Sequence, residues 1–141
     1  MNMWIRSVFA VSAFSLTGLS PPPATAQGAD LLSDPTVIAL AEEALIADLM
    51  LRSCGGIVGS DTGAAEVRAL ADELARQFGH TPETAAARLS QPDSLKRIEQ
   101  GARQRLAMMG ARPEDLGALC ALARQAANGP GLIGAALDPS P

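Results

Sequence analysis

DTGAAEVRALADELARQFG, residues 61–79, is the stretch from which the fold class is read. Val67, Leu70, Ala71, Leu74 and Phe78 recur every three or four positions, while Glu66, Arg68, Asp72, Glu73 and Arg76 take the opposite side. That is the period of an amphipathic helix, not the alternation of a strand. Asp61 or Thr62 supplies its start. Gly79 supplies its stop, because glycine accepts the left-handed conformation that closes a helix.

The same grammar repeats on both sides. Asp34-Pro35 opens a helix expected to run to about Ser53, with Val37, Ile38, Leu40, Leu45, Leu49 and Leu51 wrapped broadly enough to be well buried. Gly55-Gly56 ends it. Thr81-Pro82-Glu83 opens a short helix to about Leu89, with an acid in its first turn. Gln91-Pro92-Asp93 opens another, carrying Leu95, Ile98, Ala102, Leu106 and Met109 on one face and ending at Gly110. Pro113-Glu114-Asp115 opens the last long helix, with Leu116, Leu119, Cys120 and Ala123 facing inward and Asn128-Gly129-Pro130 as its end. Gly131 to Leu137 is expected to add one turn that packs back on the core. Strand formers are scarce and alanine and leucine abundant, as in an all-α domain.

The N-terminal segment differs in kind. Arg6 is the only charge among residues 1–26, Ser7 to Leu19 is uncharged and apolar, and Pro21-Pro22-Pro23 precedes Ala24-Thr25-Ala26. A charged start, a short apolar centre and a small-residue cleavage site are the pattern of a secretory signal peptide, with cleavage expected after Ala26. The apolar part falls short of the ~20 residues that a membrane-spanning helix requires. The reading is therefore an all-α fold: a compact bundle of about five helices stapled by one disulfide and preceded by a cleaved signal peptide. Residues 27–137 form one helical domain and 138–141 a flexible tail.

Removing residues 1–26 leaves 115 residues with 10 basic and 15 acidic side chains, net −5. An acidic surface repels phosphate backbones, so nucleic acid and anionic membranes are poor partners. Phe78 is the one aromatic residue left after Ala26. Stacking platforms for bases or sugars are built from several aromatic faces, which this composition does not supply.

Cys54 and Cys120 are the only cysteines. In an exported protein a disulfide between them is the natural reading, joining the end of the first helix to the middle of the last long one. Loop-closure entropy gives such a bridge a weight of about 4 kcal/mol. A redox pair is expected at closer spacing and at a helix N-terminus, whereas Cys54 falls at a C-terminus. A metal site needs more ligands than two cysteines and His80.

His80, beside Gly79, reads as a solvent-exposed turn residue without a nucleophile to activate. Gly55, Gly56 and Gly59 follow no strand and are read as a cap and a turn, not a phosphate loop. Lys96, Arg97, Arg103 and Arg105 make one locally basic helix face, diluted by Asp93 and Glu99 and read as solvated. Met108-Met109 reads as core filling at a helix end. No catalytic residue, cofactor site or metal site is assigned.

Cys54-Gly55-Gly56-Ile57, the segment Cys120-Ala121-Leu122-Ala123-Arg124, the pair Ile133-Gly134 and the closing Leu137 together resemble a family of small exported two-cysteine helical proteins of unknown function from alphaproteobacteria. The likeness spans roughly residues 31–137. Ala126 stands where the family often has an acid, and Asp138-Pro139 where it often has a basic residue. The resemblance implies export, a helical fold and the disulfide, and it transfers no activity. The expected function is a non-enzymatic periplasmic or extracellular protein acting through protein–protein interaction, with no stable membrane anchor after cleavage. A periplasmic stress chaperone or inhibitor, or a carrier of a small apolar ligand between helices, are the alternatives.

Overall fold

The computed structural model describes residues 30–139. The signal segment, its cleavage site and the last two residues lie outside these. Six α-helices account for most of the described chain: α1 (Pro35–Ser53), α2 (Asp61–Gln77), α3 (Pro82–Leu89), α4 (Pro92–Met108), α5 (Leu116–Ala127) and α6 (Leu132–Ala136). A single 3-10 turn, Leu31–Ser33, precedes α1.

α1 starts where the sequence says it should. The Asp34 carboxylate accepts from the amides of Thr36 (2.8 Å) and Val37 (3.2 Å), and Pro35 occupies the first turn, where no amide hydrogen is needed. α1 is the spine of the molecule, packed against α2, α4, α5 and α6. Around it lie two main apolar clusters. One gathers Ile46, Met50, Cys54, Leu106, Leu119 and Ala136; the other gathers Leu31, Val37, Ala75, Ala85, Leu89 and Ile98. Each large aliphatic side chain so buried contributes roughly 1.5–3 kcal/mol.

A two-stranded antiparallel ribbon was not anticipated. β1 (Ile57–Gly59) pairs with β2 (Leu137–Pro139), with Ile57 opposite Pro139 and Gly59 opposite Leu137. Its inner residues, Ile57 and Leu137, are buried, while Val58 and Asp138 face outward. Asp138 and Pro139 thus belong to the domain rather than to a flexible tail. The ribbon continues into α2: the Ser60 amide donates to the Ala136 carbonyl (3.1 Å), and the Ser60 hydroxyl accepts from the Gly63 amide (3.1 Å). Gly63 has a packing role, because a Cβ there would run into the Ala135 carbonyl oxygen. Glycine lets the start of α2 lie against α6.

Two helix ends explain three further departures from the sequence reading. At the end of α2, Gly79 has φ +73°, its amide donates to the Arg76 carbonyl (3.0 Å), and the His80 amide donates to the Ala75 carbonyl (2.9 Å). This is a Schellman closure, in which the residue after glycine folds back along the helix. His80 is accordingly buried, not solvent-exposed. At the end of α4, Gly110 (φ +89°) donates to Ala107 and Ala111 donates to Leu106, so Ala111 takes the equivalent inward slot. Met108 is 81% exposed and Met109 is also exposed, so neither fills the core.

Leu116 likewise sits in water. Asp115 caps α5 by accepting from the Ala118 amide (3.0 Å), which places Leu116 in the first turn, ahead of the buried Leu119 and Ala123. On α2 the inward stripe is Val67, Ala71, Leu74 and Ala75, with Leu70 turned outward.

Candidate functional site

Cys54 is the C-cap residue of α1, and its own amide donates to the Met50 carbonyl. Cys120 lies in the second turn of α5. The two are joined by a disulfide with Cα atoms 5.3 Å apart, and no free cysteine remains. Cys54 is part of the main apolar cluster, so the bridge ties the C-terminal end of the spine to α5 from within the core.

The basic helix face expected on α4 is divided by the packing. Arg105 turns toward α1: its Nε donates to Glu42 Oε2 (3.0 Å) and its NH1 to Glu43 Oε1 (3.4 Å). Glu42 is buried among the helices because position 101 is glycine; a Cβ there would strike the Glu42 carboxylate. A charged pair withdrawn from water requires a partner on each side, and here Arg105 supplies it. Arg103 instead reaches the exposed Glu114 over 3.5 Å. A second inward acid, Asp48, is only 2% exposed and accepts from Arg52 Nε (2.9 Å) and NH2 (2.8 Å) one helical turn later.

Between α1 and α4 runs a groove of about 240 Å³. Its floor is Ile46, Ala102 and Leu106; Leu45 and Leu49 form half-buried walls, and Pro113 of the α4–α5 connection also lines it. Arg52, Glu99 and Arg103 are its charged groups. Ala102 is the smallest side chain of that floor. A smaller apolar cavity of about 40 Å³ lies between α1, α2 and α3, with Leu40, Ala71 and Ala85 among its walls.

Glu73, on the outer face of α2, is held below the ordinary glutamate range by the Arg76 guanidinium, with Gln77 assisting. It belongs to a surface cluster, with Arg76 at 2.8 Å and Gln77 at 3.1 Å. His80 lies at the α2–α3 corner, and the disulfide at the end of α1. Among the described residues no three histidine, cysteine or acidic side chains come together as a metal site.

The sequence reading did not single out Glu42, Asp48, Gly101 or the groove. One signal was present for Glu42 and Gly101: Glu42 falls in the helical register of Ile46 and Leu49, and the one glycine inside α4 faces it. Comparison of the chain with protein-family models, with curated proteins and with solved structures returns no match. The fold and site define a class, a mostly helical domain stapled by one internal disulfide.

Proposed function

We propose that the chain is an exported helical protein that acts by contact with another protein rather than by catalysis. The observation that carries this reading is the exposure of Met108, Met109 and Leu116 on either side of the short α4–α5 connection. Large apolar side chains held in water by a well-closed helix end mark association surfaces, and methionine adapts to varied partners. The helix closure at Gly110 and the Asp115 cap fix the two flanks of this connection, so little ordering entropy opposes docking.

Export rests on the signal pattern of residues 1–26 and on the disulfide, which persists in oxidising compartments. Among the described residues no helix is long and apolar enough to cross a membrane. The resemblance to small exported two-cysteine proteins points the same way.

The test is photo-crosslinking in the native host, with the reactive residue at position 108 or 116 and, as a control, at exposed position 88. One adduct formed from 108 and 116, absent from 88 and lost in Met108→Glu/Leu116→Glu, is expected. Equal or no adducts at all three positions would refute the reading. Cell fractionation with N-terminal sequencing checks cleavage after Ala26.

A further inference from the structure

We infer that the α1–α4 groove binds a small amphipathic carboxylate, a short aliphatic tail bearing one anionic head. The site is distinct from the surface proposed for a protein partner, since Met108, Met109 and Leu116 do not line it.

Size and chemistry agree on the ligand. An apolar protein cavity of ~150 Å³ suffices for benzene. The groove offers about 240 Å³ over a floor of Ile46, Ala102 and Leu106, room for a tail somewhat larger than that. Leu45 and Leu49 are only half-buried, so a tail laid between them removes apolar surface from water without displacing packed side chains.

The charged groups set the sign of the head. Two arginines and one glutamate line the groove, and each arginine also has an ion-pair partner just outside it, Asp48 for Arg52 and Glu114 for Arg103. The arginine side chains are 53% (Arg52) and 66% (Arg103) exposed, so both stand at the solvent side of the apolar floor. A guanidinium has five N–H donors. Asp48 engages the Nε and one terminal nitrogen of Arg52, and Glu114 engages one nitrogen of Arg103 at 3.5 Å. Donors remain on both arginines, and guanidinium geometry suits a carboxylate. A neutral head would leave those remaining donors to water, and a cationic head would gain only Glu99.

The probes are octanoate, octanol and octylammonium, each titrated into the purified oxidised protein and followed by methyl and amide NMR shifts. Octanoate should give saturable shifts confined to groove residues and bind at least fivefold more tightly than octanol. Arg103→Gln, which loses only an exposed ion pair, should weaken octanoate by roughly two- to fivefold while leaving octanol unchanged. Glu99→Gln should strengthen it, and Ala102→Leu, which fills the floor, should abolish it. Arg52→Gln is the less clean variant because it strips the partner from buried Asp48, so the inference does not depend on it.

Absence of saturable shifts with octanoate would overturn the inference, as would equal binding of octanoate and octanol with no effect of Arg103→Gln. Groove shifts that vary with protein concentration before any probe is added would also overturn it, by showing that a second copy covers the floor.

Discussion

Replacing both cysteines by alanine removes a cross-link whose weight can be worked from its position. Cys54 and Cys120 are 66 positions apart. A closed loop of that length restricts the unfolded chain by about 4 kcal/mol at 25 °C in the chain-entropy treatment. Domains of this size have a net stability of roughly 5–15 kcal/mol, so the variant should remain folded with a narrow margin and melt roughly 15–30 °C lower. A smaller cost comes from the buried sulfur of Cys54, which alanine replaces with a void. Urea unfolding followed by far-ultraviolet circular dichroism separates the two contributions. Reduced against oxidised wild type reads the cross-link alone, and the Cys54→Ala/Cys120→Ala variant against reduced wild type reads the lost side-chain volume. The slope of stability against urea should also rise once the bridge is gone, because the freed chain exposes more surface on unfolding. Oxidised and reduced protein agreeing to within about 1 kcal/mol, with the same slope, would refute the loop argument.

Three further outcomes are expected. Gly101→Ala should lose about 1–2 kcal/mol in thermal unfolding although alanine is the better helix former, because the methyl group meets the Glu42 carboxylate. In a Glu42→Ala background the same change should instead stabilise, and a loss in both backgrounds would sink the explanation. Gly63→Ala should cost about 2 kcal/mol or more and speed hydrogen exchange at the Ser60 amide, since the added Cβ pushes α2 off the Ala135 carbonyl that precedes β2. Normal protection at Ser60 would contradict this. The Glu73 carboxyl should titrate below the ordinary glutamate range and move up in Arg76→Gln, as read by carboxyl carbon shifts. Because its folded pKa is depressed, its contribution is present above the ordinary value and lost as pH falls through the folded one.

How much of this was legible in the sequence depends on the range over which each feature is determined. Asp34-Pro35, Asp61-Thr62, Thr81-Pro82 and Gly110 are local signals, and each marks a helix boundary to within a residue or two. The β1–β2 ribbon is the opposite case. Each strand has three residues, too few for alternation to register, and the partners are about 80 positions apart, so nothing near Ile57 announces Leu137. His80 and the two methionines were misplaced for a different reason. The glycine that closes a helix was recognised, but not that its closure sends the following residue inward and leaves the preceding ones in water.

The candidate site was less readable, because it arises from what is missing between two helices. Ala102 and Gly101 are small neighbours on α4, the first in the groove floor and the second against Glu42 of α1. At position 101 the space is taken by Glu42, whose charge then requires Arg105. Ala102 is buried beside Ile46 in the floor of the groove, with Arg103 at its charged side. Lys96, Arg97, Arg103 and Arg105 are close in sequence, but at 3.6 residues per turn Arg105 lies on roughly the opposite side of α4 from Lys96 and Arg103. Arg105 accordingly meets α1 at Glu42, while Arg103 stays exposed in an ion pair with Glu114. The division depends on which residues lie opposite across the interface. It follows from three-dimensional placement, and the same pairing of small residues with arginines elsewhere would need a structure before it could be assigned to either role.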